Sequence, residues 1–176
     1  MGNIAVVYKS RYGSTKKYAQ WIAQDLECTL IETKDATVEK LKTFDTIIYG
    51  GWLHAGNIKG FKVILKDIDK LKDKNIVVFS VGCSTGEREE DIKAIEEVNF
   101  KGLQDIKHFY LRGAFNYKNL NMIDKVMMNI LKIKLKGIKE EDRDEDIKGM
   151  LDAYINPMNF TNKDNVKLLV SYVRNL

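Results

Sequence analysis

Ile4-Ala5-Val6-Val7-Tyr8-Lys9-Ser10-Arg11-Tyr12-Gly13-Ser14-Thr15 is the stretch from which the rest of the chain can be read. Ile4 to Tyr8 is a continuous apolar run, as expected of a strand buried on both faces of a parallel sheet. A turn of hydroxyls with one glycine follows. It leads straight into a segment with Tyr18, Ala19, Ile22, Ala23 and Leu26 on one stripe, the spacing of an amphipathic helix. A phosphate held at such a turn would meet backbone N–H groups and hydroxyls at the positive end of the helix dipole, with Arg11 and Lys16 adding charge. The plainer alternative is that Ser14 or Thr15 only caps the helix and Gly13 only makes the turn.

The strand-then-helix unit recurs. Further short apolar runs stand at Thr29 to Thr33, Thr46 to Tyr49, Ile76 to Val81 and Phe109 to Leu111. Ile58, Phe61, Ile64, Leu65, Ile68 and Leu71 fall at steps of three and four and predict a second helix. Ser84 and Glu87 have capping-box spacing and predict a third from Glu87, with Ile92 and Ile95 inward. A last helix is expected from Thr161, carrying Val166, Leu169, Val170 and Val173. This alternation implies an α/β fold, a doubly wound parallel sheet of five strands with helices on both faces. The long stretch from Asn116 to Pro157 interrupts the regularity and reads as a basic apolar insertion.

With 176 residues, 44% hydrophobic and 31% charged, and a single proline, one soluble globular domain spanning 1–176 is expected. Cys28 and Cys83 belong to no Cys-x-x-Cys or Cys/His cluster, so neither a disulfide framework nor a metal site is indicated and a reducing, cytoplasmic setting fits. No run is long enough to span a bilayer, and Ile4 to Tyr8 is too short for a signal-peptide core. The formal net charge of +4 favours anionic partners only weakly, and no nucleic acid is expected among them.

In an open α/β sheet, ligands sit beyond the carboxyl ends of the strands where the strand order reverses. Two more small-residue loops are expected there. Gly50-Gly51-Trp52-Leu53-His54 follows the third strand: its glycines would let backbone approach a flat ligand, and Trp52 offers a face for stacking. Gly82-Cys83-Ser84-Thr85-Gly86 follows the fourth. His54 can serve as a proton donor or relay, or simply face solvent. Cys83 can tune a bound ring through its sulfur, or merely pack the loop. His108 reads as structural.

These three loops resemble those of the flavodoxin family, and the resemblance implies the strand order 2-1-3-4-5 for the five-stranded sheet. The resemblance implies FMN as cofactor, with Ser10, Arg11, Tyr12, Gly13, Ser14 and Thr15 at its phosphate, Gly50 to His54 along one side of the isoalloxazine and Gly82 to Gly86 along the other. Tyr12 departs from the small hydroxyl residue usual in that loop. Within the family the chain most resembles the menaquinone-dependent protoporphyrinogen oxidase branch, through Ser-Arg-x-Gly-x-Thr, through Arg112-Gly113-Ala114-Phe115-Asn116-Tyr117, and through the basic apolar segment beyond. That branch implies a porphyrin substrate and a quinone acceptor.

Rival readings differ in class. A receiver domain needs acidic residues where Lys9, Ser10 and Gly50 stand, and neither a Gly-Lys-Ser/Thr loop nor Gly-x-Gly-x-x-Gly follows the first strand. A soluble flavodoxin-type carrier with a protein redox partner stays open, as does a flavin-free interaction module on the same fold. The acidic run Glu140 to Asp146 can steer a cationic redox partner or form a solvated loop. Leu120 to Lys136, if helical, places Ile123, Val126, Met127, Ile130 and Leu131 on one stripe and Lys125, Asn129, Lys132 and Lys136 on another face. Such a helix either packs on the core or makes peripheral contact with a membrane.

Overall fold

The computed structural model describes residues 2–103 and 106–176. The elements in chain order are β1 (Ile4–Tyr8), α1 (Ser14–Asp25), β2 (Thr29–Glu32), α2 (Val38–Leu41), β3 (Thr46–His54), β4 (Asn57–Ile58), α3 (Lys62–Leu65), β5 (Asn75–Gly82), α4 (Glu89–Phe100) and β6 (Lys107–Arg112). Then follow β7 (Ala114–Phe115), α5 (Met122–Lys136), α6 (Glu145–Asp152), β8 (Met158–Asn159) and α7 (Lys167–Arg174). The main strands pair in the order β2-β1-β3-β5-β6, all parallel, which is the expected 2-1-3-4-5 order. β4 adds an antiparallel hairpin arm to β3, and β7 pairs with β8 in a separate two-stranded sheet.

The alternating side chains of each strand build two cores. Val6, Ile48, Val77 and Phe79 meet Tyr18, Ile22, Leu169 and Val173 from α1 and α7 on one face. Val7, Ile47, Tyr49 and Val78 meet Phe61, Ile64 and Phe100 on the other. Burial on both faces explains why these strands read as unbroken apolar runs.

Several local expectations are corrected. The helix foreseen from Ile58 to Leu71 is broken: Ile58 lies in β4, α3 covers only Lys62–Leu65, and Ile68–Leu71 is a 3-10 turn. At Gly60 the chain takes φ 85°, which no α-helix passes through, and only glycine fits there because a Cβ would fall 2.3 Å from the Tyr49 hydroxyl. α4 starts at Glu89 with Arg88 as its cap residue, so Ser84 does not cap it; the Ser84 hydroxyl instead meets that of Tyr110. α7 begins at Lys167, preceded by a 3-10 turn, Lys163–Val166, that the Asn162 side chain caps. Among the described residues, no helix is long and apolar enough to cross a membrane.

Candidate functional site

β1 ends opposite Gly50 of β3, β5 runs on past that level to Gly82, and β3 runs past both to His54. Tyr8 pairs with Gly50, Trp52 with Val81, and Gly82 with Arg112, so the three loops lie side by side at the carboxyl edge. Gly50 to His54 is a correction: these residues are strand, continuing to a turn at Ala55 and Gly56 whose φ values are 48° and 76°. Nor do the two glycines leave room for a flat ligand. A Cβ on Gly50 would lie 2.0 Å from the Phe79 ring, and one on Gly51 would lie 2.6 Å from the Lys59 carbonyl oxygen. The overshoot nevertheless carries Trp52 and His54, both half-buried, out beside the loop after β1.

That loop has the donors an anion needs. α1 starts from Gly13 in the left-handed region, φ 97°, with no side-chain cap and no acidic residue in its first turn. The early N–H groups of a helix have no partner within it, so an uncapped start presents them outward. A Cβ at Gly13 would meet nothing within 4 Å, so the space before it is open. The Ser10 hydroxyl oxygen accepts from the Gly13 amide at 3.2 Å, and that of Ser14 accepts from the Ala114 amide at 3.1 Å. Each O–H is left with its own proton to donate. Thr15 is buried at the base of the loop. This set of uncapped amides and orientable hydroxyls fits a phosphate monoester.

The cation of the loop is already engaged. Arg11 Nη1 lies 3.2 Å from both carboxylate oxygens of Asp124 on α5, and the Tyr12 hydroxyl donates to Asp124 Oδ2 at 2.5 Å. His54 Nε2 stands 4.0 Å from Asp124 Oδ1. Burial, then the hydrogen bond to Asp124, raises the Tyr12 phenol above its ordinary value. Tyr12, the departure from the small residue expected at that position, is thus the anchor of a helix rather than a ligand-facing hydroxyl.

The loop after β5 is fixed by protein groups as well. The Tyr110 hydroxyl donates to the Ser84 carbonyl at 2.9 Å, and its ring fills the space that a Cβ on Gly82 or Gly86 would take. Thr85 gives both its amide and its hydroxyl to Asp146 of α6, at 3.1 and 3.0 Å. Burial pushes the Cys83 thiol up to about 11, with Arg112 opposing. Arg112 stacks on Phe160 at 3.5 Å from the ring centre, in a groove of about 560 Å³ that Thr85 and Tyr110 also line. A larger cavity, about 830 Å³ beside Phe100 and His108, lies at the opposite edge of the sheet.

Asp124 and Asp146 were missed by sequence reasoning. A signal for the first was present, since Asp124 is the one carboxylate in the basic segment from Leu120 to Lys136. Asn121, three residues earlier, caps α5 by accepting from the Asp124 amide. Nothing local marks Asp146, which sits in an acidic run.

The fold and this edge define an α/β protein whose strand ends carry donors suited to a phosphate. The family model described as the flavodoxin domain matches residues 5–142, so the chain belongs to the flavodoxin-domain family and FMN is its cofactor. Among curated proteins none matches. Similar solved structures include the flavodoxin, WrbA-like protein from Agrobacterium tumefaciens, with 24% identity, 53% of this chain and 66% of that one covered, and TM-score 0.43. Oxidised flavodoxin 2 from Bacillus cereus has 18% identity, with 87% and 95% of the chains covered, and TM-score 0.45. A flavoprotein from Lactobacillus acidophilus in complex with FMN has 16% identity, 64% and 93% coverage, and TM-score 0.39. The assignment rests on the family model.

Proposed function

We propose that this chain is an FMN-dependent oxidoreductase that takes electrons from a protoporphyrinogen-type substrate and delivers them to a membrane quinone, with α5 as the element that meets the membrane. The observation that carries this reading is the outward face of α5. Met122, Ile123, Val126, Met127, Ile130 and Ile133 are all exposed, while Asp124 is the helix's only buried residue. Lys134 and Lys136 close the helix, and Lys118 stands before it. An apolar stripe beside lysines suits the boundary between acyl chains and anionic headgroups.

When bound, FMN would supply the two-electron redox chemistry, and the chain's own residues would hold and orient it. Ser10, Ser14 and the first-turn amides of α1 would hold its phosphate. The arm carrying Trp52 and His54 and the braced loop from Gly82 to Gly86 would border its ring system, and His54 would be the nearest imidazole for proton exchange with solvent. We also infer one domain over 1–176, because α7, beyond the insertion, packs into the same core as β1 and α1.

The test is anaerobic: FMN-loaded protein, protoporphyrinogen and a quinone should generate fluorescent porphyrin, and omission of FMN or quinone should stop it. No porphyrin above the uncatalysed background would overturn the substrate assignment. A soluble carrier with a protein partner is the second reading, and the same apolar face would serve it. It draws less from the acidic run, since Asp144 pairs with Arg88 and caps α6 while Asp146 holds Thr85.

A further inference from the structure

α5 is attached to the rest of the protein by few bonds, and its first turn hangs on one side chain. Asp124 takes the Arg11 guanidinium and the Tyr12 hydroxyl, and that hydroxyl accepts in turn from the Asn121 amide at 3.2 Å. Farther along, the helix is held separately. The Tyr154 hydroxyl donates to the Met128 carbonyl and the Tyr117 hydroxyl to Asn129 Oδ1. Apart from His54 of β3, 4.0 Å from the same carboxylate, the partners of the first turn come from the loop that has the uncapped start of α1, and Arg11 is the cation among them.

We propose that Asp124 is a latch between that loop and α5: a phosphate bound at the start of α1 competes for Arg11, repels the Asp124 carboxylate and loosens the first turn of the helix. The inference rests on FMN as the ligand and concerns the position of α5, not the substrate. Two anions cannot share one guanidinium without loss, because a charge-assisted pair is weakened when its cation turns to a second oxyanion. Coupling of this kind is reciprocal. Whatever holds α5 in its loosened position must tighten FMN by the same factor that FMN favours that position. A helix drawn onto a partner surface would therefore retain its cofactor better than one latched down.

Amide hydrogen exchange and flavin titration test this together. FMN should speed exchange over residues 121–128, and riboflavin, lacking the phosphate, should not. Asp124→Asn keeps the side chain's size and should bind FMN more tightly, by about fivefold or more, with fast exchange at 121–128 even without flavin. Tyr12→Phe weakens the latch without touching the charge and should give a smaller gain of the same sign. FMN uptake with unchanged or slowed exchange at 121–128, or Asp124→Asn binding FMN no more tightly than wild type, would overturn the latch alone. Failure of both proteins to take up FMN would overturn the latch and the cofactor assignment together.

Discussion

The sheet and α5 are built on opposite terms. In β1, β3 and β5 apolar side chains are buried on both faces, and of the buried polar exceptions, Thr46 and Ser80, the second is bonded to His108. In α5 six large apolar residues face solvent and the one buried side chain is a carboxylate. Burial drives the first and makes it a rigid frame. The second is held by a few polar bonds, so its position can respond to what binds beside it and to what covers its apolar face.

Truncating the frame should have the largest effect. Phe79 is fully buried and occupies the space beside Gly50, so Phe79→Ala should cost about 3–5 kcal/mol in denaturant unfolding. A loss under about 1 kcal/mol would mean the sheet is no more tightly packed than the insertion. Acid should strain the frame next. His108 lies between Ser80 Oγ, 2.8 Å from Nε2, and Glu96 Oε1, 3.2 Å from Nδ1. Burial lowers its pKa below 6.5, against the pull of Glu96. Its contribution to stability is thus fully present above pH 6.5 and is lost as the pH falls through the depressed folded value. Stability measured against pH should drop across that window, and His108→Gln should flatten this part of the curve.

Changes in α5 should be milder in stability and sharper in function. Tyr154→Phe removes the donor to the Met128 carbonyl and should cost about 1 kcal/mol, read from thermal unfolding. Ile130→Ser, on the exposed face, should stay within about 0.5 kcal/mol of wild type and yet weaken sedimentation with anionic vesicles at low salt. Cooperative destabilisation by Ile130→Ser would return the helix to the core and erase the contrast.

Binding by the site gives a separate measure. FMN should bind far more tightly than riboflavin, and Gly13→Ala should weaken FMN because it forces an alanine to φ 97° at the start of α1. Equal affinity for the two flavins would remove the phosphate from that loop.

The five strands, the two-faced burial and the helix-entry loop at Ser10 to Thr15 were legible in the sequence, because each follows from local pattern, whereas the strand order came from the family resemblance. Five apolar runs alternating with amphipathic segments admit few arrangements, and a turn of hydroxyls and one glycine between strand and helix is a local signal. Periodicity misled where a single residue overrode it, as at Gly60, and at Gly50 and Gly51, whose small size serves Phe79 and Lys59 rather than a ligand. It also left the inner face of α5 undetermined. A 3.6-residue repeat identifies an apolar stripe but not what that stripe meets, and here Asp124, not the stripe, turns inward. Only the tertiary structure could bring residues 11, 12 and 54 to residue 124, or residue 85 to residue 146, because hydrogen bonds between segments this far apart in sequence leave no local pattern. The chain alone determined the frame and the donors that stand at its edge; the packing of the insertion decided which charges face the loop after β1.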